Sequence, residues 1–414
     1  MKNSMRNKIP YHIADKGKFM NILIVTQYYY PEQFQINEIA PELKRRGHDV
    51  TVLTGLPNYP QGEIYDGYQN IREETIDGIK IIRVPIHPRK HGPVHLVWNY
   101  LSYVMKGNRA ARKLPAGFDI ILSYQLSPVT SLYPALTYKK KHGTPILNYC
   151  LDIWPESAQA HVKTDKGLLY KYIHSVSKRL YQQCDHIAVT SRPFIDYLSA
   201  KNGIATEKMS YIPQHADDSY LSLDLHSRGN GIADFMYAGN LGQGQWVDVI
   251  IKAAREIKSE NFRIHIVGDG SVRADLEKLA KDLLVEDKVI FYGNQKRTDM
   301  PEFYRKADAL LITLRGNNFV GCTMPGKLQA YMACGKPIFG AINGAANETI
   351  THAECGKCVA AGDYKGLAAI MKDYIDHPEQ YDRCGENART YFKEHFTLDI
   401  FMERLEKQMR DMVQ

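Results

Sequence analysis

The chain has 414 residues, 44% of them hydrophobic, with a formal charge of +7 and seven cysteines. Its length and apolar content suffice for two ordinary cores, and its segments alternate between strand-like and helix-like patterns, so two α/β domains are expected. No apolar run reaches the ~18–20 residues a bilayer span needs, and no signal-peptide apolar region opens the chain, which predicts a soluble or peripheral protein.

Residues 1–19 are polar and basic without periodicity, and read as an extension or the product of an upstream start codon. Asn21 to Thr26 is a buried strand, followed by a loop, a helix through Ile36, Ile39, Ala40 and Leu43, and a second strand at Asp49 to Leu53: a βαβ unit. Further strands are predicted at Ile79 to Val84, Ile120 to Ser123, Ile146 to Cys150, His186 to Thr190 and Met209 to Ile212, which places a boundary near Pro213. The second half repeats the pattern at Asp234 to Tyr237, Phe262 to Val267, Lys288 to Phe291, Ala309 to Thr313 and Pro337 to Phe339. The expected units are 20–213 and 214–390, with a helical segment 391–414 crossing back onto the first. The cysteines, at 150, 184, 322, 334, 355, 358 and 384, are odd in number and scattered in apolar segments, as free thiols of a reducing, cytoplasmic compartment would be. Cys355 and Cys358 form an isolated pair with no partners for zinc, and no metal site is expected.

Charge is unevenly spread. Between Asp77 and Asp119 there is no acidic residue, whereas Arg83, Arg89, Lys90, Lys106, Arg109, Arg112 and Lys113 lie there with His87, His91 and His95. Trp98, Tyr100 and Tyr103 interleave with Val94, Leu96, Val97, Leu101 and Val104 in an amphipathic helical pattern. Two readings are open: a patch resting on an anionic lipid surface, or a core-packed helix with a solvated basic face. Nucleic acid is not expected, because no nucleic-acid module accompanies the patch.

One turn combines several anion-binding features. Thr323 can cap a helix, Pro325 suits its first turn, Gly326 lets a ligand approach the backbone, and Lys327 adds a cation beside the free N–H groups. Leu328, Tyr331 and Met332 supply the apolar stripe and Gly335 the stop, so a ligand would lie at the carboxyl edge of a parallel sheet. Tyr237-Ala238-Gly239-Asn240-Leu241-Gly242 and Ile266-Val267-Gly268-Asp269-Gly270 each end a strand in a glycine loop, where backbone can approach a phosphate or simply turn tightly.

From Met20 to about Met412 the chain resembles the retaining GT-B glycosyltransferases of family four. The likeness lies in Ile24-Val25-Thr26-Gln27-Tyr28-Tyr29-Tyr30-Pro31-Glu32, in Arg46 to Pro60, in Asp152-Ile153-Trp154-Pro155-Glu156-Ser157 and in the Thr323 turn. These runs are similar to those of bacterial O-antigen and capsule transferases, including N-acetylfucosaminyl transferases. The resemblance implies two Rossmann-like domains facing across a cleft, a nucleotide-sugar donor (a UDP-sugar) in the second, and a lipid-linked or surface-glycan acceptor in the first. It implies no cofactor and no catalytic metal.

By the same resemblance, donor-binding candidates are Gly239, Asn240, Gly268, Lys296, Arg297, Thr323, Met324, Pro325, Gly326 and Lys327. Asn58, Tyr59 and Trp154 are acceptor candidates, and Asp152 and Glu32 are catalytic candidates; an Asx turn at Asp152 and a capping role for Glu32 stay open. His161 and His215 are weaker choices. The sequence departs from the family where its pair of glutamates falls on Cys322 and Ala330, where its Arg and Lys after the first donor strand fall on Asn240 and Gln245, and where Leu151 takes the place of a histidine. Gln329, Asn294, Lys296 and Arg297 are the expected substitutes. Catalysis would rest on positioning and on stabilising the leaving diphosphate. An epimerase on the same fold, or a noncatalytic subunit of a polysaccharide assembly complex, are the alternatives.

Overall fold

The computed structural model of the chain describes residues 19–90, 92–158, 167–227, 229, 231–315 and 324–414. In the first half, β1 (Asn21–Val25), β2 (Asp49–Gly55), β3 (Glu73–Ile76), β4 (Ile79–Val84), β5 (Ile120–Gln125), β6 (Ile146–Cys150), β7 (His186–Val189) and β8 (Met209–Tyr211) form one sheet in the order β3-β4-β2-β1-β5-β6-β7-β8. All neighbours are parallel except β3 and β4. β1 is apolar throughout because both its faces are covered: Leu23 and Val25 enter one core, Ile22 and Ile24 the other.

In the second half, β9 (Ala233–Ala238), β10 (Phe262–Val267), β11 (Val289–Gly293), β12 (Ala309–Thr313), β13 (Ile338–Ala341) and β14 (Gly356–Val359) form a parallel sheet in the order β11-β10-β9-β12-β13-β14. Phe235 and Tyr237 of β9 enter one core, and Met236 and Ala238 the opposite one. The architecture is a pair of Rossmann-like α/β domains.

The returning segment starts later than position 391. The helix Asp382–His395 still belongs to the second half, since Ala388, Phe392 and Phe396 complete one of its cores. The helix Leu398–Val413 then lies on the first half, burying Phe401, Met402, Leu405 and Met409 with Ile22, Ile24, Leu122 and Tyr149. Arg46 pairs with Asp399 at 2.8 Å, and His48 Nε2 lies 3.0 Å from Glu406 Oε1.

Residues 214–217 bring the two carboxyl edges together. Gln35, at the start of the helix Ile36–Arg45 that follows β1, donates to His215 O at 2.6 Å, and Gln329, in the helix Gly326–Cys334 that follows β12, donates to Gln214 O at 2.6 Å. The loops that end the strands of each half therefore converge on one cleft, the place where open parallel sheets bind ligands.

Candidate functional site

In the second half, the ends of β9 and β10 are fitted to each other. Gly239 and Gly268 both have positive φ, and a methyl group on Gly268 would meet Gly239 O at 1.9 Å, so the two turns touch backbone to backbone. A cavity of 530 Å³ opens above them, lined by Gly239, Asn240, Gly268, Asp269, Asn294, Gln295 and Tyr304 among others. Asn240 is exposed on its rim.

Lys327 reaches back over this loop. Its Nζ donates to Tyr237 Oη at 2.5 Å and to Gln245 Oε1 at 2.6 Å, and lies 4.1 Å from the centre of the Tyr237 ring. It also lies 3.1 Å from the position a Cβ would take on Gly239. No carboxylate pairs with it among the described residues. Burial holds the ammonium down to about 7, the expected response of a cation drawn out of water without a counter-ion. The ammonium thus sits against Gln245, 82 positions away in the chain.

The geometry corrects several expectations. The helix begins at Gly326, with Pro325 at its cap position rather than in its first turn, and the Lys327 side chain is enclosed rather than exposed. Met324 packs against the second half's core, while Thr323, Cys322 and His161 lie outside the described residues. Arg297 is paired with Asp217 at 2.7 Å on the connecting segment, and Lys296 is exposed; neither lines the cavity above Gly239 and Gly268, which takes Asn294 and Gln295 instead. Gln329 is tied to Gln214 O, and His215 is a buried partner of Glu38 at 3.0 Å.

In the first half, Glu32 turns inward. It is 1% exposed and accepts the backbone N–H groups of Tyr59 at 2.7 Å, Asn58 at 2.8 Å and Tyr29 at 3.3 Å. Burial pushes its carboxyl up to about 7 against the pull of those donors. Glu32 therefore clamps the loop after β2 onto the loop after β1. Asn58 is fully buried and continues the clamp: its Oδ1 accepts from Arg89 N at 3.0 Å and from Asn99 Nδ2 at 3.2 Å. Tyr59 is carried to the surface by that pedestal and packs with Tyr28 and Phe34, ring centres 5.8 and 5.7 Å away.

Asp152 follows β6. Its Oδ2 accepts from Ser127 N at 3.0 Å and Ser127 Oγ at 2.7 Å, while Trp154 Nε1 donates to the same hydroxyl at 2.9 Å. Oδ1 has no hydrogen-bond partner among the described residues, which leaves one carboxylate oxygen for a ligand hydroxyl.

The helix Pro93–Lys113 is turned inside out. Asn99, Ser102, Tyr103, Gly107 and Ala111 face the protein, and a methyl group on Gly107 would meet Pro134 at 2.6 Å, so small and polar groups share the packed face with one large aromatic, Tyr103. Val94, Val97, Trp98, Leu101 and Met105 are exposed instead. Arg109 and Arg112 continue the same stripe at helical spacing, with Lys106 and Lys113 beside them, and Lys141 joins the cluster by donating to Arg112 O at 2.7 Å. Arg83 is not part of this surface: it is buried and paired with Glu74.

Two parallel-sheet domains with a phosphate-type loop on one side of a cleft and a polar loop cluster on the other define the GT-B architecture. Residues 34–220 match the family model described as Glycosyltransferase Family 4, and residues 229–391 that described as Glycosyl transferases group 1. The chain is 22% identical to the glycogen synthase of Mycobacterium tuberculosis over 384 residues, covering 89% of each. It is also 22% identical to the putative colanic acid biosynthesis glycosyl transferase WcaI of Escherichia coli over 347 residues, covering 76% of this chain and 82% of the relative. The structure of Anabaena HepE in complex with UDP and glucose superposes with a TM-score of 0.66 at 16% identity, covering 94% of this chain and 99% of HepE. With the two family models together spanning nearly all of it, the chain belongs to the GT4-type glycosyltransferases.

Proposed function

We propose that the protein transfers a sugar from a nucleotide-diphosphate donor, a UDP-sugar, to a lipid-linked or surface-glycan acceptor in bacterial polysaccharide synthesis, with retention at the anomeric carbon and without a divalent metal. The observation that carries this reading is the Lys327 ammonium, held over Tyr237 beside Gly239 with no carboxylate partner. A cation drawn out of water in this way is set to receive an anion, and it lies next to the free N–H groups of a helix start. As the glycosidic bond breaks, charge grows on the leaving diphosphate, and these groups are already aimed at it. Asp152, with one oxygen free, is the group proposed to orient the acceptor hydroxyl.

The choice of a lipid-linked acceptor, and of a place at the inner face of the cell membrane, draws on the outward apolar stripe of Pro93–Lys113 and its basic end. No helix among the described residues is long and apolar enough to cross a membrane; a stripe of this kind would lie in the interface instead. The relatives include enzymes named for glycogen, colanic acid and lipopolysaccharide core synthesis, and an O-antigen or capsule role is the finer proposal.

The test is a panel of UDP- and GDP-sugars scored by thermal stabilisation, followed by transfer to lipid extract in the presence of EDTA and by NMR of the product anomer. Transfer that survives EDTA and yields the donor's anomer is expected. An absolute need for Mn²⁺, an inverted product, or sugar isomerisation without an acceptor would each overturn its part of the reading.

A further inference from the structure

We propose that Arg89 forms an oxyanion-binding site on the acceptor side of the cleft, made to hold a phosphoryl or carboxylate group of the acceptor. The inference rests on the reading of the first half as the acceptor domain and goes beyond it, to the acceptor's charge.

Arg89 makes no ion pair among the described residues, although a guanidinium in a half-buried place ordinarily finds a carboxylate. Its side chain lies over the Tyr59 ring, 5.1 Å from the ring centre, and hydrogen-bonds the Tyr28 hydroxyl, so two rings hold a guanidinium whose remaining N–H donors can meet a planar or tetrahedral oxyanion. Two tyrosines border it. Burial pushes up both the Tyr28 and the Tyr100 hydroxyls, with Arg89 opposing in each case, and Asp152 acts on Tyr100 in the other direction. Arg89 and the acceptor-orienting carboxylate thus share Tyr100 as a neighbour.

The guanidinium is presented by a built support. Arg89 N donates to Asn58 Oδ1; Asn99 Nδ2 donates to His87 O at 2.7 Å; Gln27 Nε2 donates to Asn99 Oδ1 at 2.7 Å; and Ser102 Oγ accepts from His87 N at 2.8 Å. Asn58 and Asn99 are fully buried, and Asn58 is itself hung on Glu32. These buried amides pair with one another, Gln27 Oε1 excepted, and rigidify the segment that carries Arg89, a cation with no carboxylate partner among the described residues. Asn99 and Ser102 lie on the inner face of the helix whose outer face is the exposed apolar stripe. Arg89 therefore sits between the cleft and the lipid-facing surface, where the phosphoryl group of a lipid-linked acceptor would lie; the carboxylate of an acidic sugar is the second source of the same chemistry.

Isothermal titration of the full chain, with UDP saturating the donor site, tests this with three probes kept below aggregation: citronellyl diphosphate, octyl glucuronide and neutral octyl glucoside. Arg89→Gln is expected to weaken at least one anionic probe tenfold or more, with Arg89→Lys recovering part of the loss and octyl glucoside unchanged. Loss confined to the diphosphate identifies a phosphoryl group, and loss confined to the glucuronide an acidic sugar. Binding of both anions within twofold of wild type by a folded Arg89→Gln protein, equal loss of the neutral probe, or no anion binding by wild type at millimolar concentration would overturn the proposal. Repeating the diphosphate titration in Lys327→Ala keeps the donor site apart: an Arg89-dependent signal that persists after UDP binding is lost belongs to a site separate from the donor's, whereas UDP binding unchanged in Lys327→Ala would sink the donor assignment and not this one.

Discussion

Gly268 and Gly239 come so close that the carbonyl oxygen of Gly239 occupies the space a Gly268 side chain would need, at 1.9 Å. Both sit at positive φ, 138° and 153°, so neither backbone can yield without reshaping the other loop. Gly268→Ala should therefore destabilise the second half by on the order of 3 kcal/mol through strain and overlap together. Chemical unfolding of the variant checks this. A midpoint within experimental error of wild type would show that the two loops are free to separate.

Nucleotide binding should depend on protons if Lys327 holds the donor as proposed. Its amine titrates near 7 in the folded chain, against an ordinary lysine value of 10.5, so at pH 8 the free enzyme is largely neutral there and an incoming diphosphate recharges it. Calorimetry in buffers of differing ionisation enthalpy should show nearly one proton taken up with UDP at pH 8, and none attributable to this site in Lys327→Met. The affinity itself should fall roughly 10–100-fold in that variant, the worth of a charge-assisted bond of about 1.5–3 kcal/mol.

The same amine has a stability signature. Because its folded-state value is depressed, the unfolded chain binds the extra proton between about 7 and 10.5, and wild-type stability should rise as pH climbs through that window. Lys327→Met should lose that rise and be the more stable protein at pH 7. Denaturation midpoints across the window decide it.

Glu32→Ala should leave UDP affinity intact while loosening the acceptor loops. It strands the N–H groups of Asn58 and Tyr59, at about 1–3 kcal/mol for a buried donor left unpaired. Limited proteolysis between β2 and β3 should accelerate, and KM for the acceptor should rise more than kcat falls. A fall in kcat alone, with the loop still protected, would instead make Glu32 a participant in the chemistry.

For the outward-facing helix, vesicle sedimentation is the measurement. Binding to anionic vesicles should weaken with salt, and again when Lys106, Arg109, Arg112 and Lys113 become Gln, each basic residue adding up to ~1 kcal/mol at such a surface. Trp98→Ser should weaken binding in a salt-independent way. Equal binding to neutral and anionic vesicles at every salt concentration would remove the electrostatic part.

The strands that could be read in advance are those buried on both faces, such as Asn21–Val25, whose unbroken apolar run has no other use. β3 escaped because it is a half-buried, antiparallel edge strand, Glu-Glu-Thr-Ile, with no apolar run to signal it. β14 escaped because its pairing rests on Gly356 lying against Ile338 O, a backbone approach that side-chain periodicity does not register. In the site, Lys327 was visible from the turn that carries it, but its reach to Gln245 was not, since the two are 82 positions apart. Arg89 was hidden for a related reason. Its support draws on residues 27, 32, 58 and 99 from separate loops, and nothing local distinguishes it from the other basic residues around it.

The helix Leu398–Val413, made after both sheets, closes the half of the molecule whose sheet is made before the other. At a synthesis rate of ~5–20 residues per second, the roughly 200 residues that separate the end of the first sheet from this helix take about 10–40 s to appear. During that interval the first domain carries its strands and the seat for Phe401, Met402, Leu405 and Met409, but nothing to fill it. The nascent chain thus meets the cell with an apolar slot open, and a message truncated just after Phe396 would yield a second half with its cores complete attached to a first half whose slot stays empty.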